Sequence, residues 1–288
     1  MPRFRAERRD CPAELSPEAT IITPPSGWHI LDVGALWQHR ELLLKLAWRD
    51  VKVRYKQTIV GAAWAIIQPF VTMVVFSVFF GRFANMPSEG VPYPIFSYAG
   101  LLPWTFFSEA MKRASDSLVG NASLVSKVYF PRVVLPMASV LSRLVDFAVA
   151  FTVLLAMMAY FHVPITWRIL WVPVFIALAF LGALGTGLWL SAINVRFRDI
   201  KYALPFIIQL WMFATPVIYP VTLLPERWQI LLSLNPMTGV VNGCRWAILG
   251  TGAPPTGMFW VSVGVTVLVL VTGLLVFHKM ERTFADVV

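Results

Sequence analysis

Arg143 and Asp146 stand three residues apart inside a long apolar run. That spacing puts both on one helix face, where they can pair. Ionisable groups in such a run mark a proton or ion pathway when several form a relay. The competing reading is a structural ion pair near the membrane boundary, with the arginine reaching towards water. Glu109, in another apolar run, has Lys112 and Arg113 close by as partners. Other reactive chemistry is sparse. His29, His39, His162 and His278 are scattered without ligand spacing. Cys11 and Cys244 lie too far apart to suggest a metal motif or a disulfide framework, and read as unpaired thiols. No Gly-rich loop ends in Gly-Lys-Ser/Thr, so the chain cannot hydrolyse ATP by that route. No Gly-x-Ser-x-Gly elbow is present either. One cluster remains, Gln209, Trp211, Phe213, Thr215 and Tyr219, polar and aromatic groups mixed in one short apolar segment. It suits a surface facing a polar ligand with apolar faces, as a sugar has. Helix–helix packing explains it equally well. Trp104, Trp167 and Trp171 belong more simply to interfacial belts.

The elements that must position these groups follow from composition. Of the 288 residues, 58% are hydrophobic and 14% charged. A soluble domain carries roughly 25% charged residues, so this chain cannot cover a globular surface with polar groups. Apolar segments lie near 58–80, 92–111, 133–160, 169–193, 203–219 and 258–277. Crossing the hydrocarbon core takes about 20 residues of helix, and 203–219 is at the short limit. Lipid leaves an unpaired backbone without partners, so the spans are helices. The expected fold is an all-α integral membrane protein with six transmembrane helices. Pro69, Pro103 and Pro216 fall inside spans and should kink them.

Lysine and arginine set the orientation. Residues 1–57 hold ten of them, 112–143 five, 194–202 three and 279–288 two. The opposite side holds only Arg82, Arg168, Arg227 and Arg245. Both termini are therefore expected in the cytoplasm. The net charge of +9 is a topology signal, and nucleic-acid binding need not be invoked. Asn121-Ala-Ser123 matches a glycosylation acceptor but falls on the cytoplasmic side.

Three segments are not spans. Residues 1–35 read as a mobile N-terminal cytoplasmic tail; up to residue 27 it is rich in charge and proline, without the apolar core of a signal peptide. Residues 36–57 read as an amphipathic interface helix. Leu44, Trp48, Val51 and Tyr55 form one stripe, and Lys45, Arg49, Lys52 and Lys56 a basic one beside it. A soluble helix packed on a partner is the alternative. Residues 220–257, between spans five and six, hold two short apolar pieces, 226–234 and 237–249, broken at Asn235–Pro236. Pieces of that length are re-entrant or interfacial, a candidate gate of a pathway. Between spans two and three, Ser115, Asp116 and Asn121 offer helix-starting caps and Pro131 an end. A short helix there, bearing Lys127, Tyr129 and Phe130, would be a docking surface; an ordinary connecting loop is the even alternative.

The motifs resemble those of ABC-2 type polysaccharide export permeases. The matching stretches are RYKQTIVGAAW at 54–64 followed by Gln68–Pro69, YPIF at 93–96, GLLPW at 100–104 with Phe106, Phe107 and Ser108, NASLVSKVYFPRVVLP at 121–136, NVRFRDI at 194–200, PVIYP at 216–220, and Asn235-Pro236-Met237 with Arg245. They run in order from about 40 to 280, leaving the N-terminal tail uncovered, and are most similar to O-antigen exporters, with capsule and teichoic-acid exporters as relatives. The resemblance implies a homodimer of half-transporters in a bacterial inner membrane, paired with two copies of a separate ATPase subunit. ATP and Mg would bind that partner, leaving no cofactor in this chain. The substrate would be an undecaprenyl-diphosphate-linked polysaccharide. It also implies that Asn121, Lys127, Tyr129 and Phe130, with Arg196, Arg198 and Asp199 in the second loop, couple to the ATPase. Lys45, Trp48, Arg49, Lys52, Arg54, Tyr55 and Lys56 would sit at the membrane surface. With two copies, spans one and five are expected to line a pore, with Trp64, Trp211, Phe213 and Tyr219 as candidate lining residues. A membrane-embedded lipid-glycan transferase is the rival from another class, but the outer side offers only Glu89 and Glu226 as acids. An exporter of teichoic acid, capsule or a small amphiphile is the nearer alternative.

Overall fold

A computed structural model describes residues 33–56, 61–128, 130–197, 199–252, 254–255 and 257–287. Tyr129, Arg198, residues 57–60 and the tail up to residue 32 lie outside the described residues. Every regular element among the described residues is helical.

The interface segment forms α1 (Val33–Gln38) and α2 (Arg40–Lys56), separated at His39. The stripe expected over Leu44, Trp48, Val51 and Tyr55 divides. Val51, with Leu46 and Ala47, is buried in the protein, whereas Leu44 and Trp48 face outward at 58% and 57% exposure. Trp37 continues that outer stripe seven residues earlier, the step that returns to the same helix face. Arg40 lies over the Trp37 ring and Lys52 over Trp48. Cations beside outward aromatics suit the headgroup layer of a bilayer.

Among the described residues, four elements are long and apolar enough to cross a membrane. The first is α3 (Gly61–Phe76), prolonged by a wider π-helical segment, Ser77–Phe83. The others are α6 (Val134–Tyr160), α7 (Val172–Arg196) led by a tight turn Trp167–Trp171, and α11 (Gly257–Val287). Between α3 and α6 lies α4 (Tyr93–Gly120), which is as long as a span but carries Glu109, Lys112, Arg113 and Asp116 towards its end. Among the helices of spanning length it is the most enclosed, packed on α3, α6 and α7, with Ile95, Phe96, Tyr98 and Phe107 fully buried. At the α7–α11 crossing a Cβ on Gly185 would come within 2.7 Å of the Leu270 Cα. Only glycine lets these backbones approach so closely.

Two boundaries differ from expectation. Helix α4 runs on to Gly120, so Ser115 and Asp116 lie within it and do not start a helix. The short helix α5 (Ala122–Lys127) begins after Asn121, whose side chain does not cap it but donates to the Ser117 carbonyl. The fifth apolar segment, α8 (Ile200–Ala214), stops five residues before the expected end at 219. Pro216 therefore follows the helix and does not kink it. A residue before proline is pushed out of the helical region, and Thr215 is extended at φ −102, ψ 140. The two short pieces on either side of the Asn235–Pro236 break fold as α9 (Glu226–Ser233) and α10 (Pro236–Leu249).

Candidate functional site

A cavity of about 750 Å³ opens between α2, α3, α4 and α6. One wall is ionic. The Asp146 carboxylate on α6 accepts from the Tyr55 hydroxyl at 2.7 Å, from Arg143 at 2.9 Å and from Arg54. Arg143 also reaches Glu109 on α4 at 3.3 Å. The expected Arg143–Asp146 pair is thus the centre of a larger cluster. Glu109 pairs across to α6, with no ion pair to Lys112 or Arg113 among the described residues. Lys112 and Arg113 lie one turn on along the same side of α4, and Arg113 lines the same cavity, but it is the Arg143 guanidinium from the facing helix that comes within pairing distance. Burial, then the bond to Asp146, pushes the Tyr55 phenol up to about 12. It remains a neutral donor at any physiological pH.

The rest of the lining is aromatic and hydroxylic. Trp64 is 60% exposed, and Phe106 and Phe147 meet edge to face at 5.9 Å. Gln68, Thr105, Ser139 and Ser142 complete the wall. Four arginines (Arg49, Arg54, Arg113, Arg143) and four carboxylates (Asp50, Glu109, Asp116, Asp146) line it. Their charges balance, so the cavity is polar without a strong field of either sign.

Around the end of α8 a second cluster joins three motifs. Arg245 on α10 is 2% exposed and bonds to no carboxylate among the described residues. Its Nη1 donates to the Pro216 carbonyl at 2.6 Å and to Tyr219 at 3.4 Å, its Nη2 to Val217 at 2.5 Å and its Nε to Phe96 at 3.3 Å. The Phe96 ring lies 3.7 Å from the guanidinium carbon. The three outer carbonyls follow the end of α8, where the helix dipole is negative. Backbone oxygens thus solvate the cation where no carboxylate is within bonding distance among the described residues. Asn235 caps α10 by accepting from the Met237 amide at 3.0 Å. It also accepts from Trp211 Nε1 at 3.1 Å and donates to Thr215 at 2.8 Å. The end of α8 is therefore held by both ends of α10. A lone arginine in an apolar outer segment was the signal in the sequence. Its partners, 28 and 149 positions away, were not.

Residues 41–249 match the family model described as ABC-2 type transporter. The chain belongs to the ABC-2 type transporter family. An O-antigen export system permease protein, RfbA, from Myxococcus xanthus is 30% identical over 88% of this chain and 98% of its own length. A Klebsiella pneumoniae RfbA permease is 24% identical over 86% of this chain and 95% of its own length. The polysialic acid transport protein KpsM of Escherichia coli is 23% identical over 70% of this chain and 78% of its own length.

In this ABC-2 chain the described candidate coupling residues differ in exposure and partners. Asn121 accepts from Arg49 of α2 at 2.9 Å, tying the interface helix to the α4–α5 junction. Lys127 is exposed at the end of α5. Phe130 is buried in the core. Arg196 and Asp199 are exposed at the end of α7 and the start of α8, with Arg196 over the Phe197 ring. The ends of α4 and α7 are joined by Asn194, which donates to the Ser115 carbonyl at 3.1 Å and to Asp116 at 3.3 Å. Sequence reading missed that link.

Of the candidate lining residues, Trp64 faces the cavity. Phe213 is 48% exposed. Trp211 packs edge-on against Trp104 and Phe107, and the Tyr219 hydroxyl donates to the Phe213 carbonyl. At the interface Lys45, Trp48, Arg49, Lys52 and Lys56 are exposed, while Arg54 and Tyr55 turn towards Asp146.

Proposed function

We propose that the chain is the membrane-embedded permease half of an ATP-driven exporter that moves a lipid-linked, O-antigen-like polysaccharide out of the cytoplasm. The observation that carries this is the aromatic, hydroxyl-rich and charge-balanced cavity at the interface helix, in a chain whose relatives are named for O-antigen export. Sugars combine apolar ring faces with many hydroxyls, and a sliding glycan needs weak contacts at many places. In α8 only Leu204 is buried, and α3 is largely uncovered. A second copy would cover these faces, forming a pore between α3 and α8 of two chains. Six spans with both termini in the cytoplasm, and two copies of a separate ATPase, complete the assembly. An undecaprenyl diphosphate carrier would enter beside α2. The polysialic-acid relative makes a capsule glycan the second reading; the balanced charge of the cavity favours a less acidic substrate.

Expression in a strain lacking its own O-antigen permease, with the cognate ATPase, tests the function. Surface glycan should appear, and Trp64→Ala should slow its appearance while lipid-linked glycan accumulates inside. Export unchanged by Trp64→Ala, with no internal accumulation, would remove the cavity from the pathway. Failure of the wild-type chain to place any glycan outside would sink the export reading.

Topology is tested by thiol labelling. A cysteine replacing Pro87 should react with an impermeant reagent from outside intact cells, whereas one replacing Lys201 should react only after lysis. Labelling of position 201 in intact cells would overturn the orientation.

A further inference from the structure

A second cavity, of about 120 Å³, lies at the outer end between the loop before α4, helices α9 and α10, and the start of α11. A single water needs only about 10–15 Å³ of such space, so this cavity holds several waters or one small ring. Its walls carry hydrogen-bonding groups of every kind: Glu89, Gln229, Thr238, Asn242 and Thr251, with the Phe259 ring beside them. Thr238 is 5% exposed, yet its hydroxyl, like that of Thr251, has no hydrogen-bond partner among the described residues. A buried polar atom without a partner costs free energy, so both hydroxyls await a ligand or water. Glu89 accepts from Thr222 at 3.3 Å through one oxygen.

Resting on the export reading above, we propose that this cavity is a subsite for one hexose-sized unit of the transported glycan as it leaves the membrane. Pyranose hydroxyls both donate and accept, as the threonines and amides here do. The carboxylate takes a donated pair, and Phe259 offers an apolar edge to ring C–H groups. A phosphate fits poorly, because Arg245, the one cation of the lining, is committed to four carbonyls. A metal fits poorly too, since no group of three His, Cys, Asp or Glu occurs among the described residues. Arg245 both lines the cavity and grips the turn after α8, so a bound sugar would touch the element that closes the outer end.

The test is saturation-transfer NMR on the full-length chain in nanodiscs, with free mannose, rhamnose, galactose and N-acetylglucosamine as probes. At least one sugar should receive saturation on its ring protons. Thr238→Val should weaken that binding about fivefold, one neutral hydrogen bond, and Thr238→Val with Asn242→Leu by more than tenfold. Thr238→Val should not lower Tm, because it removes a hydroxyl that has no hydrogen-bond partner among the described residues. No transfer from any probe, or transfer undiminished in the double variant, overturns the proposal and leaves a water-filled cavity. Export by the wild-type chain is measured separately. Export without sugar binding sinks the subsite alone, whereas no export sinks the function on which it rests.

Discussion

Arg245→Met is expected to remove most of the folded chain from the membrane. The guanidinium makes four hydrogen bonds to carbonyls of Phe96, Pro216, Val217 and Tyr219. Hydrogen bonds to a charged group are worth about 1.5–3 kcal/mol each, and a buried carbonyl left without a donor costs about 1–3 kcal/mol. Even if water recovers half of these, the loss is about 3–6 kcal/mol, against a total stability of about 5–15 kcal/mol. Arg245→Lys should fall between, since a point charge cannot fork to carbonyls on two sides. Gly100 offers an independent handle, because a Cβ there would lie 2.6 Å from the Arg245 Nη2. Gly100→Ala should therefore destabilise through the same arginine, and should add little to Arg245→Met. Membrane abundance and Tm in detergent are the readouts. Wild-type values for Arg245→Met would show that the carbonyls find other donors and that the arginine holds nothing.

Asp146→Ala is expected to release the interface helix. The carboxylate, only 16% exposed, gathers Arg54, Arg143 and Tyr55. Removing one member of a buried ion pair costs about 3–5 kcal/mol, because the partner charge stays behind uncompensated. Arg143 keeps Glu109, and the bonds broken at Arg54 and Tyr55 are the ones that tie α2 to α6. Trypsin should then cut faster at Arg49, Lys52, Arg54 and Lys56, while the spans stay protected. Removing both charges, Arg54→Gln with Asp146→Asn, should recover much of the stability, as paired removals of buried charge often do. Equal cleavage of wild type and Asp146→Ala would mean that α2 is held by the packing of Leu46, Ala47 and Val51 and by the Arg49–Asn121 bond, without need of the carboxylate.

The two clusters would serve different parts of the proposed pathway. The Asp146 cluster fixes α2 beside an open cavity. Arg245 and Asn235 fix the end of α8 beside α9 and α10. Between them Asn194 joins α4 to α7 at the ends from which both candidate coupling segments emerge. Movement imposed on those segments would pass to α4, the helix that touches both clusters.

Much of this was legible in the chain. A backbone in lipid must bond to itself, so apolar runs announced helices wherever they reached spanning length. Prolines and the Asn235–Pro236 break marked where helices stop, and the ordered motifs pointed to the family. These properties are local, because a helix closes its hydrogen bonds within four residues. The end of α8 shows the limit of such reading: Pro216 looked like a kink in a longer span, and the extended Thr215 made it a terminus. Side-chain partners were of another kind. Glu109 had two cations in its own next turn and took Arg143 of another helix. Leu44 and Val51 shared a stripe and ended on different sides, one facing out and one packed inside. Arg245 carried the charge of a surface residue and was buried on carbonyls from two distant segments. Period and composition say what a helix can expose; which face meets which neighbour depends on how the helices pack, and that alone decided where each isolated charge found its partner.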